Sequence, residues 1–172
     1  MKHLLYLSLS LLIAFSAHAD DDDEMGEVVE KVEEVNNLRE SLVKAVPENP
    51  TGKTFKAVCA PVGKKAKSIA KEEGWNFKQV SHKYRNPNNK AQGLELEAIQ
   101  KMQKDQSLMG YWIEKGNERH YFRRITVRKD CLACHGPKNQ RPEFVTKKYP
   151  KDKAYGFKQG DLRGLYHVWY NK

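Results

Sequence analysis

Cys131, Cys134 and His135 lie in the run Cys131-Leu132-Ala133-Cys134-His135. C-x-x-C-H is the attachment motif of a c-type haem. Two thiols three positions apart can each add to one of the two vinyl groups of a porphyrin. The adjacent imidazole then falls beneath the iron as its proximal ligand. The chain therefore reads as carrying one covalently attached haem c, with His135 on the iron. Other readings of the same residues fail on pattern. A zinc site wants a second ligand pair, and the chain has no second C-x-x-C. A disulfide oxidoreductase wants its C-x-x-C at a helix N-terminus within a thioredoxin-like βαβ unit, and the order of elements does not supply one.

The third cysteine, Cys59, makes the count odd. In an exported protein a leftover thiol is buried, paired between chains, or bound to a metal. The other side chains able to ligate iron are Met25, Met102, Met109, His82, His120 and His167. Met25 lies in the acidic leader, away from any site; Met102 and the three histidines are more often core, packing or surface residues than ligands; Met109, at the start of a strand, stays open as a ligand.

The N-terminus supplies the compartment. A short basic start, Met1-Lys2-His3, precedes the mainly apolar run Leu4 to Phe15 and the small-x-small site Ala17-His18-Ala19. That order predicts a secretory signal peptide over residues 1–19. The apolar run is shorter than the roughly 20 residues a membrane span needs, and no later segment is apolar enough to span. The expected mature protein is soluble, periplasmic and free of transmembrane segments.

The whole chain has a net charge of +9, and removing residues 1–19 takes away only Lys2, leaving +8. Residues 20–46 hold ten acidic and three basic side chains, whereas residues 47–172 hold 12 acidic and 27 basic. A basic body suits an acidic partner, an anionic surface or haem propionates. A solvated lysine-rich surface explains it equally well. Export argues against nucleic acid.

The elements that must position the motif follow from periodicity. Asp20 to Glu24 reads as a disordered acidic leader. Val28, Val32, Val35, Leu38, Leu42 and Val46 recur at helical spacing, which predicts an amphipathic helix over Glu27–Val46, stopped by Pro47. A second helix is expected over Thr54–Glu73, ended by Gly74, with Pro61 as a potential kink. Trp75–Lys83 reads as a strand, Arg85 to Asn89 as a loop, and Leu94–Gln106 as a third helix. Gly110–Glu114 and His120–Arg128 form an expected hairpin around Gly116-Asn117. Tyr121 and Phe122 should then point to opposite faces, one to the core and one outward. Pro137 to Gly160 reads as a loop. Arg163–Tyr170 reads as a last strand with Leu165, His167 and Trp169 on one face. Front helices and a following antiparallel sheet indicate an α+β domain.

Several motifs along Val46–Tyr170 carry a resemblance. They are Ala57-Val58-Cys59-Ala60, Arg85-Asn86-Pro87-Asn88-Asn89, Cys131 to Pro137, Tyr149-Pro150, Ala154-Tyr155-Gly156 and Gly160-Asp161-Leu162-Arg163-Gly164. With these the chain resembles a family of exported c-type haem proteins with a PAS-like fold. The same domain also serves as the sensing part of some membrane signalling proteins. The resemblance implies an antiparallel sheet flanked by helices over residues 47–172, with residues 20–46 as an N-terminal helical extension. It also implies that Cys59 is the sixth iron ligand, opposite His135. A thiolate ligand stabilises ferric iron and implies a low potential, whereas methionine raises it.

Arg85 and Arg163 are candidates for pairing a haem propionate; a turn-stabilising or surface role is the alternative. The expected function is a redox-active monohaem protein acting in redox or small-gas sensing, with an unidentified redox or signalling partner. The alternative is a soluble periplasmic electron-transfer cytochrome. An enzyme such as a peroxidase would need an open distal site, which ligation by Cys59 would close, so none is expected.

Overall fold

The computed structural model describes the backbone of residues 16–172 and side chains from residue 23 onward. The expected signal peptide lies outside the described residues, apart from the Ser16–Ala19 backbone, which is helical. Among the described residues, no helix is long and apolar enough to cross a membrane.

Helix α1 runs over Ser16–Val43. Val28, Val32 and Val35 repeat at helical spacing and are fully buried, which ties the helix to the rest of the fold. The acidic leader is helical, contrary to the expectation of disorder. Its end is tied to the fold, with Glu24 Oε1 accepting a hydrogen bond from Trp75 Nε1 at 3.1 Å. The helix ends before the expected Val46, in turns closed by Ala45 N–H to the Leu42 carbonyl and Val46 N–H to the Val43 carbonyl. The residue before a proline avoids helical geometry, and Val46 precedes Pro47.

Helix α2 spans Gly52–Glu72 and packs on α1. Pro61 lies within it without ending it, because the buried stripe Val58, Val62, Ala66 and Ile69 continues across the proline. Tertiary packing of that stripe outweighs the missing backbone donor.

The sheet contains β1 (Asn76–Val80), β2 (Gly110–Lys115), β3 (Glu118–Thr126) and β4 (Leu162–Asn171). Their order is β1-β4-β3-β2, and every pairing is antiparallel. Helix α3 spans Leu94–Lys104. Strand alternation divides the side chains into two cores. Tyr121, Ile125, Tyr166 and Val168 face α1 and α2, whereas Phe122, Leu162 and Leu165 face Ala98, Ile99 and Met102 of α3. Tyr121 and Phe122 do point to opposite faces, but both are buried. The expectation that one faces outward fails because helices cover both faces. This is the expected α+β, PAS-like arrangement, with α1 added to one side.

Arginines link the layers. Arg123 on the α1 side of β3 pairs with both carboxylate oxygens of Glu33, at 2.6 and 3.0 Å. Arg124 on the opposite side donates to the carbonyls of Leu108 and Asp105, at 3.0 and 2.9 Å, and to that of Met102. It thereby satisfies groups at the C-terminal end of α3, where a cation is favourable.

Close backbone approach marks the joint between β1 and β4. A Cβ added at Gly164 would collide with the Val80 carbonyl and crowd Ser81. Gly164→Ala is therefore expected to destabilise the fold by about 1–3 kcal/mol through overpacking. Urea unfolding followed by far-UV circular dichroism measures it; an unchanged midpoint would contradict the packing described.

Candidate functional site

Strand β3 delivers the chain into the motif. After Thr126, Val127 N–H binds the Asp161 carbonyl at 2.9 Å and Gly160 N–H binds the Val127 carbonyl at 2.9 Å. This ties the segment before the motif to the segment before β4. Leu132–His135 then forms the single-turn helix α4. Gly136 closes it with an N–H bond to the Leu132 carbonyl at 2.8 Å. A side chain at Gly136 would strike that same carbonyl, so the turn requires glycine. Cys131 and Leu132 pack on Val127, Ala154 and Phe157.

His135 is held in one orientation. Its Nδ1 lies 2.7 Å from the Ala154 carbonyl. A carbonyl only accepts, so Nδ1 carries the proton and Nε2 keeps its lone pair. Phe157 meets the ring edge-on, with centroids 6.1 Å apart. The backbone seals the arrangement through Phe157 N–H to the His135 carbonyl at 3.1 Å and Gly156 N–H to the Gly136 carbonyl at 2.7 Å. Burial holds the imidazole pKa well below its ordinary value, with Arg163 and Arg85 acting in the same direction and the Ala154 bond opposing them. A neutral imidazole with a free Nε2 is what an axial ligand needs.

Asp152 organises the support beneath the motif. Its side chain is completely buried. Oδ1 accepts from Arg85 Nε at 3.3 Å and from Ala154 N–H at 2.9 Å, and Oδ2 accepts from Arg141 Nη1 at 3.0 Å. Arg85 continues to the motif, with Nη2 donating to the Cys134 carbonyl at 2.7 Å. Sequence reasoning found Arg85 but missed Asp152, Arg141 and Phe157. They lie in the stretch read as a loop, which also contains α5 (Glu143–Lys148). The signal was Ala154-Tyr155-Gly156, whose function is a backbone carbonyl that composition does not reveal.

Arg163 takes a similar structural role. Its Nη1 donates to Ser81 Oγ at 3.1 Å and to the Lys83 carbonyl at 3.2 Å. Its guanidinium also lies over the Phe157 ring, 5.4 Å from the centroid. Burial, then Arg85, lowers its pKa to about 10, against the opposing pull of Asp152 and the sulfurs of Cys131 and Cys59. Both candidate arginines hydrogen-bond to protein acceptors.

Cys59, at the middle of α2, is brought to the same place. Its residue surface is accessible, yet burial raises the thiol pKa. Arg85, Arg163 and Arg39 pull that pKa down, and Cys131 pushes it up. The thiol is thus hemmed by protein although the residue as a whole is exposed. Cys134 likewise rises to about 11, by burial first, with Arg85 opposing and Cys59 and Cys131 reinforcing. The three sulfurs therefore sense one another although Cys59 is far from the motif in sequence.

Arg39 of α1 was not anticipated at all. It donates to the Thr126 carbonyl at 3.4 Å and to Asn36 Oδ1 at 3.0 Å, and its buried Nε has no hydrogen-bond partner. Of the rival ligands, Met102 is in the α3 core, Met109 is exposed, and His120 and His167 contact each other on the α3 side of the sheet. His82, whose buried Nδ1 has no hydrogen-bond partner, lies on the side of Arg163; burial first, then Lys83 and Arg163, lowers its pKa.

These residues fit a haem. Two thiols and an oriented imidazole stand on one turn, a third thiol faces them from α2, and unpartnered polar nitrogen lies nearby at Arg39. Among the described residues no cluster of three or more His, Cys, Asp and Glu forms a site for a bare metal ion.

Asp152→Ala should cost about 3–5 kcal/mol, because it leaves two arginines beneath the motif without their buried carboxylate. Asp152→Asn retains an acceptor for Ala154 N–H and should cost less. Equal stability of wild type and Asp152→Ala in urea titration would remove Asp152 from this role.

The comparisons agree with this architecture. The profile of the Tll0287-like family matches residues 16–170, which includes α1 and so extends beyond the resemblance seen from Val46. No curated protein matches the chain. The crystal structure of the cyanobacterial haem protein Tll0287 superimposes with a TM-score of 0.81 at 46% identity, covering 87% of this chain and 96% of that one. With the family match spanning nearly the whole chain and the fold shared at that identity, this protein belongs to the Tll0287-like family.

Proposed function

We propose that this protein is an exported, redox-active haem protein with one haem c bound through Cys131 and Cys134. His135 and Cys59 are its axial ligands. The observation that carries the reading is the convergence of Cys59 on the motif cysteines, beside an imidazole whose Nε2 is left free by the bond to Ala154. The neighbouring structure of the same family is a haem protein, which supports the choice of cofactor. Haem iron, when bound, supplies one-electron redox chemistry.

Each chain residue has a distinct task. His135 presents a neutral nitrogen donor, fixed by Ala154 and ultimately by Asp152. Cys59 presents a sulfur donor from α2, a separate element. Burial raises the Cys59 pKa, and the positive charge of Arg85, Arg163 and Arg39 offsets part of that rise; coordination to iron would favour the thiolate further. A thiolate donor favours ferric iron and hence a low potential.

Sensing of redox state or of a small gas suits this ligand set, because the two donors are carried by separate elements and Cys59 is an exposed residue. A soluble electron carrier is the alternative reading; the +8 charge expected for the mature chain would then serve acidic partners. Residues 1–19 act in this reading as a cleaved export signal, placing the protein in the periplasm.

Co-expression with a cytochrome c maturation system tests the attachment. Denaturing mass spectrometry of the secreted chain should give the mass of residues 20–172 plus one haem. Cys131→Ser with Cys134→Ser should abolish the covalent adduct. A wild-type chain that loses all haem on denaturation would overturn the proposal. In rapid mixing, the reduced protein should bind carbon monoxide; a reduced protein that stays six-coordinate and refuses it would favour the carrier.

A further inference from the structure

Helix α2 carries a surface that the iron site does not use. Lys53, Lys56, Lys64, Lys67 and Lys71 are all exposed on it. At 3.6 residues per turn they fall within about 80° of arc and form one row about 27 Å long. The buried stripe of Val58, Val62, Ala66 and Ile69 lies on the opposite side. Cys59 sits on the flank between the two.

The charge of the row is not balanced within the chain. Among the described residues these lysines form no ion pair, whereas Lys65, off the row, pairs with Glu34 of α1 at 2.8 Å. Glu72 is the one acidic residue of the helix, and its carboxylate accepts from Ser68 Oγ at 2.6 Å. Like charges three or four residues apart on a helix repel. Lys53 with Lys56, Lys64 with Lys67, and Lys67 with Lys71 have that spacing. An acidic ligand laid along the row removes the repulsion.

At the start of the row a hollow of about 430 Å³ opens between α2 and α5. Its apolar wall is Phe55 and Phe144, with ring centroids 6.4 Å apart, and its rim is Lys56, Lys147 and Lys148. The Lys148 ammonium stands 5.2 Å from the Phe55 ring centre. Such a hollow takes an apolar side chain, and its rim takes carboxylates beside that side chain. A membrane surface would be met by protruding apolar side chains instead. The large exposed hydrophobics among the described residues, Leu96 and Met109, lie on neither α2 nor α5.

We propose that the row and the hollow together dock an acidic protein partner. The partner sets one apolar side chain into the hollow and lays its carboxylates along the lysines, beside the helix flank that carries Cys59. That this partner exchanges electrons or signals with the haem rests on the redox reading above; the recognition itself does not.

Fluorescence anisotropy on the mature haem-loaded protein at low ionic strength tests the surface. The probe is a labelled peptide of about 17 residues with a central phenylalanine and glutamate-rich arms, either of which spans the row when extended. It should bind saturably, and replacing its phenylalanine by alanine should weaken binding about fivefold. Lys64→Glu with Lys67→Glu should weaken it about tenfold. Lys90→Glu with Lys104→Glu makes the same charge change at exposed positions on the α3 side and should alter binding no more than about twofold. Phe144→Ala should erase the difference between the two peptides. No saturable binding, equal losses from both glutamate pairs, or equal binding of the two peptides by the wild type would overturn the proposal. So would binding of phosphatidylglycerol vesicles through Lys64 and Lys67 without binding of the peptide. Peptide binding by a chain that retains no covalent haem would overturn the redox reading alone.

Discussion

Asp152 is the interaction on which the candidate site depends. A carboxylate with no solvent-exposed surface is costly unless every oxygen is matched. Here the match consists of Arg85, Arg141 and the Ala154 amide. The same contacts aim the Ala154 carbonyl at His135 and bring Arg85 to the Cys134 carbonyl. One buried charge thus fixes both ends of the motif turn. The tautomer and orientation of His135 are set by hydrogen bonding two steps away, the kind of support that orients histidines in metal sites.

The rest of the fold positions helix α2, which carries Cys59. Helix α2 is held against the sheet by its buried stripe, and α1 lies against α2 and β3. The acidic helix is therefore a structural layer with a fully buried valine row. Its paired and unpaired groups at Glu33 and Arg39 reach strand β3 and the site, respectively. The opposite face of the sheet is closed by α3. That closure buries Phe122 and isolates the Glu95–His167–His120 chain from the haem-binding side.

The parts legible in the sequence were those with a periodic or chemical signature. The motif was visible because Cys131, Cys134 and His135 must be neighbours to do their chemistry. Helices α2 and α3, the hairpin and the last strand followed from apolar spacing and from Gly116-Asn117. Cys59 was legible as an odd cysteine, but its assignment opposite the motif came from family resemblance. The supports were not legible. Asp152 and Arg141 sit in a Lys/Pro/Tyr-rich stretch with no periodicity, and their value arises only when the chain folds back on Arg85. The outward assignment for one of Tyr121 and Phe122 failed for a related reason. Alternation tells which residues share a face, but not whether a distant helix covers it.

The central claim is that Cys59 and His135 are joined through one iron. Electron paramagnetic resonance of the ferric haem-loaded protein, for wild type and Cys59→Ala, tests it most directly. The account predicts a low-spin thiolate signal in the wild type that disappears in the variant while covalent haem is retained. A wild-type signal of bis-histidine or histidine–methionine type, unchanged by the substitution, would contradict it.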